Sequence, residues 1–175
     1  GNPARSLCTL ACKWTYAGHE EPGWRQDFLD SVGLEDLVER AGLPQRASPA
    51  GADLGPLEAA AADALGLSPA CRVATGLVDA YAGALGALGG FAADHDAIER
   101  HMALIAGTSS CVMAMSRTPR MFAGGWGPYW GVTLPGLWMI EGGQSATGAL
   151  LDHIIRWHGA GGEPDAAMHR RIGER

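Results

Sequence analysis

Several stretches of this sequence combine residue types that could do chemistry. An acid stands within Thr75-Gly76-Leu77-Val78-Asp79-Ala80-Tyr81-Ala82-Gly83-Ala84-Leu85-Gly86, where an apolar stretch passes into small residues. At a strand-to-helix junction, Asp79 could aim its carboxylate into a cleft and accept a hydroxyl proton during phosphoryl transfer. Asp is also a preferred helix N-cap, and the local pattern alone favours that ordinary role; the two are compatible. Gly107-Thr108-Ser109-Ser110 is a turn of glycine and hydroxyl residues that could offer N–H and O–H donors to phosphate oxygens. The residues alone favour an ordinary polar hairpin turn, and it is not a P-loop, because the chain contains no GxxxxGKS/T. In Glu141-Gly142-Gly143-Gln144-Ser145-Ala146 a carboxylate precedes paired glycines and an expected helix start. Glycines admit close ligand approach and helix N-termini attract anions, so Glu141 could accept from a sugar hydroxyl. The alternative is a polar helix start capped by Gln144 or Ser145. Cys12-Lys13-Trp14 sets a lysine among apolar neighbours. It could bind a sugar oxygen, although such lysines more often snorkel to solvent.

Other candidates carry less. Trp126-Gly127-Pro128-Tyr129-Trp130 could cover a sugar face, but packing is the commoner use of such a cluster. Asp152, His153 and His158 share a late helix without an evident partner, and His19 with Glu20 and Glu21 reads as a solvated loop. Cys8, Cys12, Cys71 and Cys111 form no CxxC pair and have no His cluster to complete a zinc site. Reduced, buried thiols are the expectation, which fits a cytoplasmic protein.

The elements that must position these residues follow from periodicity and breakers. Residues 1–17 read as irregular or short-strand structure. Helices are predicted over 24–32, stopped at Gly33, and over 34–41. Pro and Gly make 42–55 a loop, after which Pro56 opens a helix that Gly66 stops. A strand over 72–78 runs into Asp79 and a helix over 80–89, whose Ala80, Gly83, Ala84 and Ala87 share a face narrow enough for close backbone approach. Residues 91–100 form a polar crossing and the expected domain boundary. A strand–turn–strand unit follows over 102–106 and 111–115, then a loop over 117–130. Residues 131–140 read as a strand pair or extended segment, 144–157 as an amphipathic helix, and 168–175 as an unfinished helix. Strands alternating with helices indicate an α/β protein, with a ligand cleft expected between the domains.

The composition bounds the partners. With 175 residues, 47% hydrophobic and 18% charged, the chain can bury a core. A formal net charge of −6 disfavours nucleic acid. No apolar run approaches the ~20 residues of a membrane span, and no leader pattern opens the chain. Gly1 lies in a segment that already reads as structured, and the end at Arg175 falls in a helical pattern. A piece of a larger protein is therefore expected.

The order and wording of these motifs resemble the central part of the FGGY carbohydrate kinases. The resemblance rests on Cys12-Lys13-Trp14, Gly76-Leu77-Val78-Asp79-Ala80 with Ala82-Gly83, Ala106-Gly107-Thr108-Ser109 and Glu141-Gly142-Gly143-Gln144-Ser145-Ala146, and covers nearly the whole chain. Gly125-Trp126-Gly127-Pro128-Tyr129, Pro135-Gly136 and the final motif resemble the ribulokinase and pentulose kinase branch most. The resemblance implies a ribonuclease-H-like fold of the actin/hexokinase type, with residues 1–98 ending the sugar-binding domain and 99–175 beginning the ATP-binding domain. It implies Asp79 as catalytic base and sugar contact, Lys13 and Glu141 as sugar-binding residues, and Gly107, Thr108 and Ser109 as the ATP phosphate turn. ATP and Mg2+ are the implied cofactors, with no residue here assigned to the metal. The implied reaction is phosphorylation of a ketopentose, D-ribulose first, with L-ribulose, xylulose or a pentitol as alternatives. The partner is then a small sugar, without nucleic acid or membrane, and a homodimer of the parent is allowed for. The family's N-terminal phosphate turn with its metal-associated Asp, its adenosine segment and its signature stretches lie outside this chain. The piece alone is thus expected to be inactive. A kinase-like sugar-binding module without turnover is the alternative of a different class.

Overall fold

The structure is a computed structural model and describes residues 4–174. Helix α1 spans Leu7–Trp14 and buries Cys8, Leu10 and Ala11. It ends on Thr15, which adopts the left-handed region at φ 61°. This corrects the expectation of irregular or strand structure over residues 1–17, of which 1–3 lie outside the described residues. A helix this short is stabilised by what it buries more than by propensity, and Leu10 is only 1% exposed.

Helices α2 (Gln26–Ser31) and α3 (Leu37–Arg40) lie within the predicted ranges. Gly33 and Gly42 terminate them at positive φ, where a side chain would be strained. Strand β1 (Asp53–Pro56) pairs antiparallel with β2 (Arg72–Ala74), and α4 (Ala59–Leu65) lies between them in sequence. Pro56 therefore closes a strand instead of opening a helix, and β2 is shorter than expected.

Helix α5 spans Asp79–Leu88 and leads through a 3₁₀ turn at Gly89–Phe91 to α6 (His95–Ile98). Asp94 caps α6 by accepting from the N–H groups of Asp96 and Ala97. Strands β3 (Met102–Ala106) and β4 (Ser110–Ser116) form the predicted hairpin around the Gly107–Ser109 turn. With β5 (Trp126–Trp130) and β6 (Trp138–Gln144) they make a four-stranded antiparallel sheet of order β3-β4-β6-β5. Helices α7 (Gly148–Trp157) and α8 (Ala166–Gly173) follow; Arg175, the end of the helix predicted over 168–175, lies outside the described residues.

Three expectations are corrected in this second half. The loop predicted over 117–130 contains β5. The extended segment predicted over 131–140 is a turn with buried Val132 and Thr133, followed by the start of β6. Gly142 and Gly143 belong to β6 and do not lead directly into a helix, because α7 begins later, with Thr147 as its N-cap.

Side chains alternate across the sheet. One face carries Ala103, Met113, Met115 and Met139 into a core shared with Cys8 and Ala11 of α1 and with Tyr81, Ala84 and Leu88 of α5. This core crosses the expected 98/99 boundary. The small face of α5 permits the close approach: a Cβ on Gly83 would stand 3.0 Å from Cδ1 of Ile105 on β3. The opposite face leaves Met102 and Leu104 exposed.

Candidate active site

The last turn of α1, the first turn of α5, the β3–β4 turn and the middle of β6 converge on one cavity of about 590 Å³. Lys13, Asp79, Glu141, Gly107, Thr108 and Ser109 all line it. Residues distant in sequence thus share one chamber because α1 and α5 pack on the same sheet face.

Each side chain has a local reason for its position. Lys13 sits at the end of α1 and is exposed, so its ammonium is available to a ligand. Asp79 is the first residue of α5, while Val78 occupies the N-cap position. Its Oδ1 accepts from the N–H of Ala80 at 2.8 Å, and the residue remains exposed on the cavity. The simple N-cap role is therefore not the one it fills, although a carboxylate there still complements the helix dipole. Thr108 and Ser109 are exposed at the tip of the β3–β4 hairpin. The hairpin is shaped by the Gly107 N–H donating to Ser109 O at 2.8 Å and by the Thr147 N–H donating to Thr108 O at 3.0 Å. A hydroxyl contact of 2.8 Å between Ser110 and Thr147 fixes the base of the turn to the start of α7.

Glu141 points from β6 toward the shared core and the cavity, opposite Met113 on β4. Tyr81 of α5 donates its hydroxyl to Glu141 Oε2 at 2.8 Å. Glu141, then burial, pushes the pKa of the nearby Cys111 thiol up to about 11. Asp79 adds to this rise and Lys13 opposes it. Burial holds the Tyr81 and Tyr129 hydroxyls above the ordinary phenol range. The Cys8 contact raises the Cys12 thiol, and burial adds to it.

Tyr81, Cys12 and Cys111 at this cavity were missed as site residues by the sequence reading. Trp126 and Tyr129, weighed there mainly as packing residues, also line it. Their three-residue spacing would put them on opposite faces of a regular strand, and the irregular pairing between them, which brings both to the chamber, has no local signal. His19, His153 and His158 are not among the lining residues; Asp152 instead meets His169 of α8 at 2.8 Å.

The arrangement joins a carboxylate able to take a proton, a second carboxylate and a lysine able to hold hydroxyls, and a hydroxyl-bearing turn suited to phosphate. Residues 102–172 match the model of the FGGY family of carbohydrate kinases, C-terminal domain. The chain is 48% identical over 169 residues to an FGGY carbohydrate kinase domain-containing protein of Danio rerio, covering 91% of this chain and 31% of the relative. Residues 102–172 belong to the FGGY family of carbohydrate kinases.

Other FGGY relatives extend the comparison. A protein named D-ribulokinase YDR109C from Saccharomyces cerevisiae is 37% identical over 186 residues, covering 91% of this chain and 26% of that protein. A protein named Ribulokinase 2 from Staphylococcus saprophyticus is 30% identical over 156 residues, covering 88% of this chain and 27% of that protein. This chain spans about 31% or less of the length of these relatives. Among solved structures, xylulose kinase from Rhodospirillum rubrum matches with a TM-score of 0.53 at 22% identity, over 83% of this chain and 27% of that one. Gluconate kinase from Lactobacillus acidophilus matches with a TM-score of 0.55 at 18% identity, over 75% of this chain and 24% of that one. The fold is accordingly the α/β, ribonuclease-H-like fold of the actin/hexokinase type.

Proposed function

We propose that the full-length protein containing this chain transfers the γ-phosphoryl group of ATP to a hydroxyl of a ketopentose, with D-ribulose as first choice. The observation that carries this reading is the common cavity that Asp79, Lys13 and Glu141 share with the Gly107–Ser109 turn. In this reading Lys13 and Glu141 hold sugar oxygens, and Asp79 accepts the proton of the attacking hydroxyl. The new O–P bond forms as the bond to the departing ADP oxygen breaks. Thr108 and Ser109 supply donors to the nucleotide phosphates. Residues 1–98 are proposed as the end of the sugar-side domain and 99–175 as the beginning of the nucleotide-side domain.

The donor set bears on Mg2+. Among the described residues no group of three or more His, Cys, Asp or Glu side chains could hold a metal ion alone. Mg2+ that arrives on nucleotide phosphates needs only one or two protein carboxylates. Asp79 is kept for the proton, so no carboxylate of this chain is assigned to the ion, which would neutralise charge on the transferring group.

The choice of D-ribulose is supported by the name of the yeast relative, and L-ribulose, xylulose and pentitols are the alternatives. The test is ADP release by the full-length protein with Mg-ATP and a panel of ketopentoses and pentitols. Turnover with D-ribulose above the others supports the proposal. Sugar binding without ADP release would favour a non-catalytic binding module.

A further inference from the structure

Tyr81 follows Asp79 by two residues on α5 and is 2% exposed, yet its hydroxyl reaches the cavity wall and bonds Glu141 Oε2 at 2.8 Å. Resting on the reading of Glu141 as a sugar-binding carboxylate, we propose that Tyr81 is a positioning residue that braces Glu141 for the sugar.

Proton bookkeeping fixes the direction of the bond. An ionised carboxylate can only accept, so the tyrosine O–H donates. The hydroxyl keeps its proton across the working pH range, because burial and then the neighbouring Cys12 raise its pKa, with Glu141 adding to the effect. One oxygen of Glu141 is thereby tied to α5, and the carboxylate retains further lone pairs for ligand hydroxyls. A glutamate on a strand has rotatable bonds whose freedom must otherwise be lost when it binds a ligand. A buried donor already in place removes part of that cost.

Geometry adds a second consequence. Asp79 and Tyr81 are carried by the same helix, and Glu141 by the sheet against which that helix packs. The Tyr81–Glu141 bond therefore sets the sugar-holding carboxylate relative to the proton-accepting one. If Tyr81 only filled the core, phenylalanine would replace it fully.

The experiment uses the full-length protein and measures KM for D-ribulose and for ATP in Tyr81→Phe, Glu141→Ala and the double variant. KM reports on the active molecules, so a partly unfolded preparation does not mimic the effect. Tyr81→Phe is expected to raise the sugar KM ~10-fold with ATP KM unchanged, the scale of losing one hydrogen bond to a charged group. Glu141→Ala is expected to raise it at least as much, and the double variant should be no worse than Glu141→Ala, because the brace has nothing left to hold. An unchanged sugar KM in Tyr81→Phe beside a raised one in Glu141→Ala would overturn the brace and leave the site reading standing. Simple addition of the two effects would also overturn it. An unchanged sugar KM in Glu141→Ala would remove the site reading, and the brace with it.

Discussion

Trp126 lies against Gly143 so closely that a Cβ on Gly143 would collide with Cζ3 of the indole. The pairing of β5 with β6 is irregular between Trp126 and Tyr129, and both residues line the cavity. Gly143 thus lets an aromatic wall lie over strand β6, a use of glycine different from the close ligand approach expected of it. Gly143→Ala should push Trp126 aside and weaken sugar binding. An aromatic contact of about 0.5–1.5 kcal/mol corresponds to a rise in sugar KM of roughly 2- to 10-fold. Trp126→Ala should do the same. Because Trp126 is 55% exposed, the ring has room to move and the melting temperature should change little. An unchanged sugar KM in both variants would return this wall to a packing role.

Thr108→Val should act on the nucleotide. The hydroxyl stands exposed on the cavity in the β3–β4 turn, and valine keeps the shape while removing the donor. Loss of a contact to charged phosphate is worth about 1–3 kcal/mol when desolvated. ATP KM should rise with sugar KM unaffected, as measured by ADP release over an ATP series. Unaltered ATP kinetics would make the turn an ordinary hairpin.

Cys111 offers a test that needs no turnover. Its pKa of about 11 arises first from a hydrogen-bonding interaction with Glu141 that favours the thiol, with burial and then the carboxylate's charge adding to it. Thiolate is the form that alkylates, so Cys111 should react slowly with iodoacetamide at pH 8.5. Glu141→Gln removes the charge, lowers the thiol pKa and should speed alkylation several-fold. Peptide mass spectrometry of the labelled full-length protein measures the rate. Equal rates in both proteins would contradict the Cys111–Glu141 contact.

Arg117, just beyond β4, ties the crossing before β3 to the sheet. Its backbone N–H donates to Glu99 at 2.8 Å, and its guanidinium reaches Glu99 and Asp96, each at 2.8 Å. The Arg117 N–H, then its side chain, hold Glu99 below its ordinary value of 4.5. A depressed folded pKa stabilises above the unfolded value and is lost as pH falls through the folded one. Arg117→Leu should therefore lower the melting temperature at pH 7, with the deficit shrinking toward pH 3. A deficit independent of pH would indicate lost packing instead of lost charge.

Much of the architecture is legible where local chemistry and tertiary structure agree. The hairpin of β3 and β4 combines apolar strands with a Gly-Thr-Ser turn, and Gly33, Gly42 and Gly66 end helices at positive φ, as their positions imply. The small face of α5 announces close packing, which Gly83 and Ile105 make. Helix α1 was hidden because its stability comes from burial of Cys8 and Ala11 by residues far along the chain. Strand β5 was hidden by Gly127 and Pro128, which read locally as turn residues. At the site, the motifs around Lys13, Asp79, Thr108 and Glu141 were readable one by one. Nothing local could reveal that Tyr81 meets Glu141, because 60 residues separate them.

The central claim is that Asp79 accepts the proton of the sugar hydroxyl, and Asp79→Asn in the full-length protein tests it most directly. Asn keeps an oxygen able to accept from the Ala80 N–H, the bond that Asp79 makes at 2.8 Å, and it keeps the size of the side chain. It removes the base. The account predicts a fall in kcat of roughly 10²–10⁴ with D-ribulose and Mg-ATP, and a nearly unchanged melting temperature. A variant that retains near-full turnover would contradict it.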